Sequence, residues 1–347
     1  MKKFHFQASN VPLLFLTIFL VITPWRTQAQ EPYRIWDKAS HNAFVDLIYF
    51  KGYFYCSFRE GIGHIPNQAG EGNGVVRILR SADGVRWENL GVLAKEGIDL
   101  RDPKLSVTPN GRIMVIMGGS IYTKGRLDGR IPQVAFSNKS GKKFSEVRTV
   151  SLPDSIRSWG NWLWRVTWHG KKGYTLDYQI GPKERRGPTR LMLLQTKNGR
   201  KFTPVSTIDI DGYPNEATIR FDEEGGLYAL IRRELGDFKG VWAVSKPPYT
   251  YWKLQKVPFR LGGPNFLFLD SSTVVMGTRS YVPDHRTAIY LGDKKGDFRE
   301  LMKLPSGGDN SYPGMVIHAG KLWIAYYSSH EGKAMIYMKT IPLNELK

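Results

Sequence analysis

Six side chains in this sequence have the types and order for chemistry on an anionic substrate: Arg59, Asp102, Glu216, Arg232, Arg279 and Tyr312. A guanidinium presents a planar fork of donors that matches a carboxylate, so arginines brought to one place bind anions by paired hydrogen bonds. Arginines gathered without counter-charge repel, so an anion or carboxylates must sit among them. Two arrangements satisfy that demand. One is a pocket for an acidic ligand; the other is a set of ordinary Arg–carboxylate bridges closing a channel.

The elements that must hold these residues are hairpins. The clearest runs from Asn215 to Arg232. Asn215-Glu216-Ala217-Thr218-Ile219-Arg220-Phe221 reads as one strand and Leu227-Tyr228-Ala229-Leu230-Ile231-Arg232 as another. Asp222-Glu223-Glu224-Gly225-Gly226 forms the bend between them. Such a hairpin returns its outer ends to the same side, so Glu216 and Arg232 are expected to be neighbours. Comparable hairpins run over Asn42 to Arg59, Asp102 to Gly119, Asn161 to Tyr178, Asn265 to Arg279 and Tyr312 to Tyr327.

Between the hairpins a second unit recurs: a strand, a polar turn ending in Gly, then an aromatic. Ser81-Ala82-Asp83-Gly84 leads to Trp87, Ser137-Asn138-Lys139-Ser140-Gly141 to Phe144, and Thr196-Lys197-Asn198-Gly199 to Phe202. Looser copies run from Ser245 to Trp252 and from Asp293 to Phe298, and a last strand covers Ala334 to Lys339. The aromatics recur about every fifty residues, the scale of a propeller blade. Each hairpin plus its turn unit supplies four strands. The fold expected is all-β, a six-bladed β-propeller of four-stranded antiparallel blades, with almost no helix. Blades stacked face to face bury both surfaces, which explains why Ile113-Met114-Val115-Ile116-Met117 does not alternate.

Propeller geometry sorts the residues. First-strand starts and second-strand ends open on one face near the axis. The starts are Asn42, Asp102, Trp164 with Arg165, Glu216, Asn265 and Tyr312. The ends are Arg59, Gly118, Asp177 with Tyr178, Arg232 with Arg233, Arg279 and Tyr327. The polar turns fall on the opposite face and read as fasteners, with Asp83 bonding backbone amides and Trp87 packing between strands.

Residues 1–30 read as a secretory signal peptide, and residues 31–347 as the single propeller domain. Lys2 and Lys3 precede an apolar run from Val11 to Ile22, too short to span a membrane well, and Thr27-Gln28-Ala29-Gln30 offers small residues for cleavage. The expected location is therefore exported, periplasmic or secreted, with no membrane attachment after cleavage. Cys56 is the only cysteine of the 347 residues, so an internal disulfide and Cys-type metal sites are excluded. Losing Lys2, Lys3 and Arg26 with the signal lowers the formal charge from +19 to +16. The basic residues are spread over many turns, as in Lys142-Lys143 and Lys183-Glu184-Arg185-Arg186. An exported chain of this kind fits an acidic glycan or oligosaccharide better than nucleic acid. No cofactor and no metal are expected, and the chain is expected to be a monomer.

With these residues in place the chain resembles the sialidase (neuraminidase) superfamily over essentially the whole mature length. Ser81 to Trp87 and, more weakly, Ser137 to Phe144 and Thr196 to Phe202 resemble its Asp-box (BNR) turns. Glu216, Gly226 and Arg232 match a Glu, Gly turn and Arg in its fourth blade. Arg279 matches an Arg closing its fifth hairpin, and Tyr312, in Asn310-Ser311-Tyr312-Pro313-Gly314, its nucleophilic Tyr. The resemblance implies an exo-acting, retaining glycoside hydrolase for a terminal acidic sugar such as sialic acid or a related ulosonic acid. Arginines hold the substrate carboxylate, and Tyr replaces the usual anionic nucleophile, which that carboxylate would repel. A phenol is a poor nucleophile at its ordinary pKa of about 10, so Glu216 beside Tyr312 accepts its proton during attack.

Two family features are absent. The first blade opens with Asn42-Ala43-Phe44 in place of Arg-Ile-Pro, which leaves Arg59 or Arg101 to supply the third guanidinium. The similar Tyr33-Arg34-Ile35-Trp36 lies too far upstream. The acidic Asp of the loop after the first hairpin is also missing. Asp102, Glu71 and His64 are the candidates for general acid, and Asp102 is preferred because a strand holds it facing the axis. Two other functions stay open: a non-catalytic propeller lectin for acidic glycans, and a polysaccharide lyase in which Tyr312 or His64 works on a uronate.

Overall fold

The computed structural model describes residues 1–3, 31–67, 72–180 and 191–346. The proposed signal segment beyond residue 3, Glu71 and the basic run 183–186 lie outside these. Six antiparallel sheets form six blades. Blade 1 comprises His41–Phe50, Tyr53–Gly61, Val75–Ser81 and Glu88–Leu93. Blade 4 comprises Pro214–Phe221, Leu227–Arg233, Lys239–Ser245 and Lys253–Arg260. Blades 2, 3 and 5 follow the same order, their inner strands beginning at Asp99, Asn161 and Asn265. Blade 2 carries an extra strand, Arg126–Arg130, paired with a long extension of Ile113–Thr123. Among the described residues the helical structure is one short 3-10 turn, Leu343–Glu345, and no helix is long and apolar enough to cross a membrane.

Closure differs from the expected plan. Blade 6 has Asn310–His318, Lys321–Ser328 and Met335–Pro342, and its outermost strand is Tyr33–Trp36 from the start of the domain. Four residues carry too little periodicity to declare a pairing with the far end of the chain. The closing strand is tied further by Tyr33 Oη donating to Gly84 O at 2.7 Å and Trp36 Nε1 donating to Glu60 Oε1 at 2.6 Å.

The core lies between blades. Ile113 to Met117 are all buried, as the absence of alternation in that run requires. The outer turns are fastened locally. Asp83 Oδ1 accepts from the amides of Val85 and Arg86 at 2.9 and 2.8 Å, and Asn198 Oδ1 from those of Arg200 and Lys201 at 2.9 and 3.0 Å. Gly84 is required there: it adopts φ +74°, and an added Cβ would stand 2.3 Å from the Trp323 ring of blade 6.

Candidate functional site

Four inner strands open on the axial mouth through a β-bulge. The register slips between Ala43 and Asp46, Arg101 and Lys104, Pro214 and Ala217, and Ser311 and Gly314. Phe44, Asp102 and Tyr312 occupy the same bulge position in blades 1, 2 and 6, each in the left-handed region with φ of 62°, 46° and 53°. Non-glycine residues pay roughly 1–3 kcal/mol for that conformation, and bulges re-aim side chains. The mouth is built by spending backbone strain to turn these three side chains toward the axis.

The result is a cavity of about 270 Å³ whose lining includes Phe44, Arg101, Asp102, Arg130, Trp162, Tyr178, Glu216 and Tyr312. Tyr312 Oη donates to Glu216 Oε1 at 2.5 Å. Arg232 Nη1 reaches the same oxygen at 2.7 Å and Tyr312 Oη at 3.4 Å. The second Glu216 oxygen accepts from the Gly263 amide at 2.7 Å. Gly263 lies against the Tyr312 ring, where an added Cβ would come within 2.4 Å of Cγ. Arg279 stands over the same ring, 5.6 Å from its centroid, and donates to Asn310 O and, at 3.2 Å, to Tyr327 Oη.

Protonation follows from these contacts. Burial alone would raise the Glu216 carboxyl, but Arg232, the Tyr312 hydroxyl and the Gly263 amide outweigh it and hold it below its ordinary value. Burial and the Glu216 charge push the Tyr312 phenol well above 10, against the pull of Arg232. At neutral pH the pair is therefore a hydroxyl donating to a carboxylate, the state a base-activated nucleophile starts from. At Tyr312 burial outweighs the neighbouring arginine. Asp102 is also raised, by burial first, with Arg101 and Lys104 opposing and Glu216 adding. Its Oδ1 is buried without a hydrogen-bond partner.

The three arginines do not converge. Arg59 is fully buried and paired with Asp99 Oδ1 at 2.7 Å, with Nη1 donating to Gly63 O at 2.8 Å. The reason is register. Arg59 pairs with Ala43 just outside the bulge of blade 1, as Arg233 pairs with Pro214 in blade 4. Arg232, one residue earlier, faces the other side, as successive strand residues must. Arg101 does line the cavity: it lies 4.9 Å over the Phe44 ring and donates to His64 O at 2.7 Å. Of the two arginines considered for the third guanidinium, it is thus Arg101 that reaches the cavity, packed on Phe44. His64 also lines the cavity, with its ring on Asp309, while Glu71 is outside the described residues.

Arg130, Lys104 and Gly263 went unnoticed in the sequence. Arg130 forms no ion pair among the described residues, its Nη1 is buried without a partner, and it lies 5.5 Å from the Trp162 ring. Only its place in the extra strand of blade 2 brings it to the cavity. Lys104 is buried beneath the site, its Nζ 5.7 Å from the Tyr312 ring, and burial lowers its pKa to about 8. Nothing in its sequence context marks it.

No protein-family model and no curated protein matches the sequence. Solved structures match nearly all of it. A protein of unknown function from Dyadobacter fermentans DSM 18053 aligns with a TM-score of 0.77 at 16% identity, over 91% of this chain and 98% of that one. A Trypanosoma rangeli sialidase in complex with sialic acid aligns at 0.67 and 10% identity. That match covers 92% of this chain but 58% of the sialidase, so the chain spans less than two thirds of its length. The GH93 α-L-arabinofuranosidase of Fusarium graminearum, with arabinobiose, aligns at 0.68 and 14% identity, over 92% and 99%. The likeness is one of fold: a six-bladed propeller also found in two kinds of glycoside hydrolase.

Proposed function

We propose that the chain is an exported, exo-acting glycoside hydrolase for a terminal acidic sugar, working with retention through Tyr312. The observation that carries this reading is the 2.5 Å contact of Tyr312 Oη on Glu216 Oε1, with Arg232 touching both. A fold does not need a hydroxyl, a carboxylate and a guanidinium in mutual contact. A nucleophile, its base and a group that balances their charge do need that arrangement. Glu216 takes the phenolic proton as oxygen attacks the anomeric carbon. Arg232, at the Tyr312 hydroxyl, and Arg279, over its ring, favour an anionic substituent beside that carbon, and Arg101 and Arg130 add guanidinium groups from blade 2. Asp102 is the general acid: its raised pKa favours the protonated form, and its unpartnered oxygen is free to meet a leaving group.

The test is a screen of acidic oligosaccharides with wild type beside Tyr312→Phe. The expected result is a released terminal sugar with retained configuration, and loss of that release in the variant. Products absorbing in the ultraviolet would identify a lyase instead, and saturable binding without any release would identify a lectin.

A further inference from the structure

No stretch of the sequence spaces ligands as a metal site does, yet closing the propeller assembles one donor set. His41 Nε2 and His64 Nδ1 each lie 3.0 Å from Asp309 Oδ2, and the three atoms are within 4.8 Å of one another. They come from three segments. His41 begins the inner strand of blade 1, His64 lies in the loop after that blade's first hairpin, and Asp309 precedes the inner strand of blade 6.

We propose that His41, His64 and Asp309 bind a zinc-class divalent ion at the seam between the first and last blades. Two imidazoles and one carboxylate are a borderline donor set that suits zinc over calcium or magnesium, which prefer oxygen ligands. Zinc bonds of about 2.0–2.1 Å place ligand atoms roughly 3.3 Å apart, so the two 3.0 Å separations need only small rotations. The carboxylate is already oriented. Tyr327 Oη donates to Asp309 Oδ1 at 2.8 Å, and Arg279 Nη2 is 3.5 Å from that oxygen, which leaves Oδ2 to the imidazoles. Arg279 is the cation nearest the carboxylate and opposes a metal here. It acts across the far oxygen and is itself bonded to Asn310 O. The His64 loop is held from behind by Arg101 on His64 O. His64 keeps half of its side chain exposed, at 55%, so the ion has an open side for water or substrate. Two rings link this centre to the nucleophile: Phe44, with centroids 5.2 Å from His64 and 5.3 Å from Tyr312, and Tyr327, which bonds Asp309 and lies 5.9 Å from the Tyr312 ring. Such an ion pins the loop and the closing blades together on the face where substrate enters.

The test uses the full chain without an affinity tag, stripped with chelator and titrated with Zn²⁺ by calorimetry and with Co²⁺ by visible absorption. One saturable equivalent is expected, weakened tenfold or more by His64→Ala and by Asp309→Asn, with Zn²⁺ raising the unfolding temperature of wild type but not of His64→Ala. His64 is on an exposed loop, so that variant keeps the fold. Absence of saturable binding, equal binding by His64→Ala, or a preference for Ca²⁺ would each overturn the site. All readouts are independent of turnover, so their outcome is separate from that of the hydrolase reading.

Discussion

Blades 1 and 4 both open on the mouth through a bulged inner strand and use it in opposite ways. In blade 1 the bulge turns Phe44 to the axis, and the arginine at the hairpin end, Arg59, is sealed against Asp99 with neither side chain exposed. In blade 4 the bulge carries Glu216, and the arginine facing it, Arg232, stays 13% exposed between Glu216 and Glu234. The residue truly equivalent to Arg59 is Arg233, which is also buried and ion-paired, with Asp211 and Asp237. A repeat therefore fixes which positions reach the mouth, and one step of register decides whether a guanidinium there serves the site or the scaffold.

The largest effect should come from breaking the blade 4 arrangement. Tyr312→Phe and Glu216→Gln are each expected to lower turnover about 10²–10⁴-fold, with the double variant losing little more, because the two act as one unit. Either single variant turning over at near wild-type rate would remove the distinction between the two blades.

The second effect separates scaffold from site. Arg59→Met leaves the Asp99 carboxylate buried and without its principal partner, although Arg101 remains 3.2 Å from its other oxygen. Loss of one partner of a buried pair costs about 3–5 kcal/mol, so denaturant unfolding should show a large loss of stability while turnover per folded molecule stays near normal. Arg233→Met should cost less, since Asp211 and Asp237 reach solvent. Arg232→Met should show the reverse pattern, with a large loss of turnover and a smaller loss of stability. Equal stability losses for Arg59→Met and Arg232→Met would contradict the comparison.

This contrast also marks what a reader of the sequence can and cannot see. Six blades, the opening residues Asp102, Glu216 and Tyr312, and the nearness of Glu216 to Arg232 were legible because they depend on short-range periodicity and hairpin geometry. The burial of Arg59 was not, because a bulge adds one residue and reverses every later side chain, and bulges at Phe44 or Asp102 carry no glycine to announce a left-handed backbone. Arg130 was invisible for a different reason: the strand that carries it is an extra one, paired with the long extension of its neighbour. The seam between His41 and Asp309 depends on chain closure, which no local pattern encodes.

A third effect lies below the mouth. Lys104 is the first paired residue after the bulge of blade 2, where blade 1 has Asp46, and Asp46 is itself paired with Arg165 at 2.8 Å. Burial lowers the Lys104 pKa from 10.5 to about 8. Below pH 8 both folded and unfolded chains hold the proton. Between pH 8 and 10.5 the unfolded chain holds it and the folded chain does not, so stability rises with pH across that window, by up to about 3 kcal/mol. Lys104→Met should flatten this slope relative to wild type in unfolding measurements from pH 7.5 to 10.5. An unchanged slope would mean that the amine is solvated.

The smallest effect tests the far rim, where the polar turns mirror the mouth in being rich in polar side chains but differ in range. Glu216 is satisfied by Tyr312 and Gly263, 96 and 47 residues away. Asn198 is satisfied by the amides of Arg200 and Lys201, two and three residues on. Local bonds of this kind close a turn without fixing anything beyond it, and their net worth is about 1 kcal/mol. Asn198→Ala should therefore lower stability by about that amount and leave turnover and its pH dependence unaltered. If it instead lowered turnover by an order of magnitude, the two faces would be coupled through the blades, and the division of the propeller into a chemical mouth and a mechanical rim would have to be abandoned.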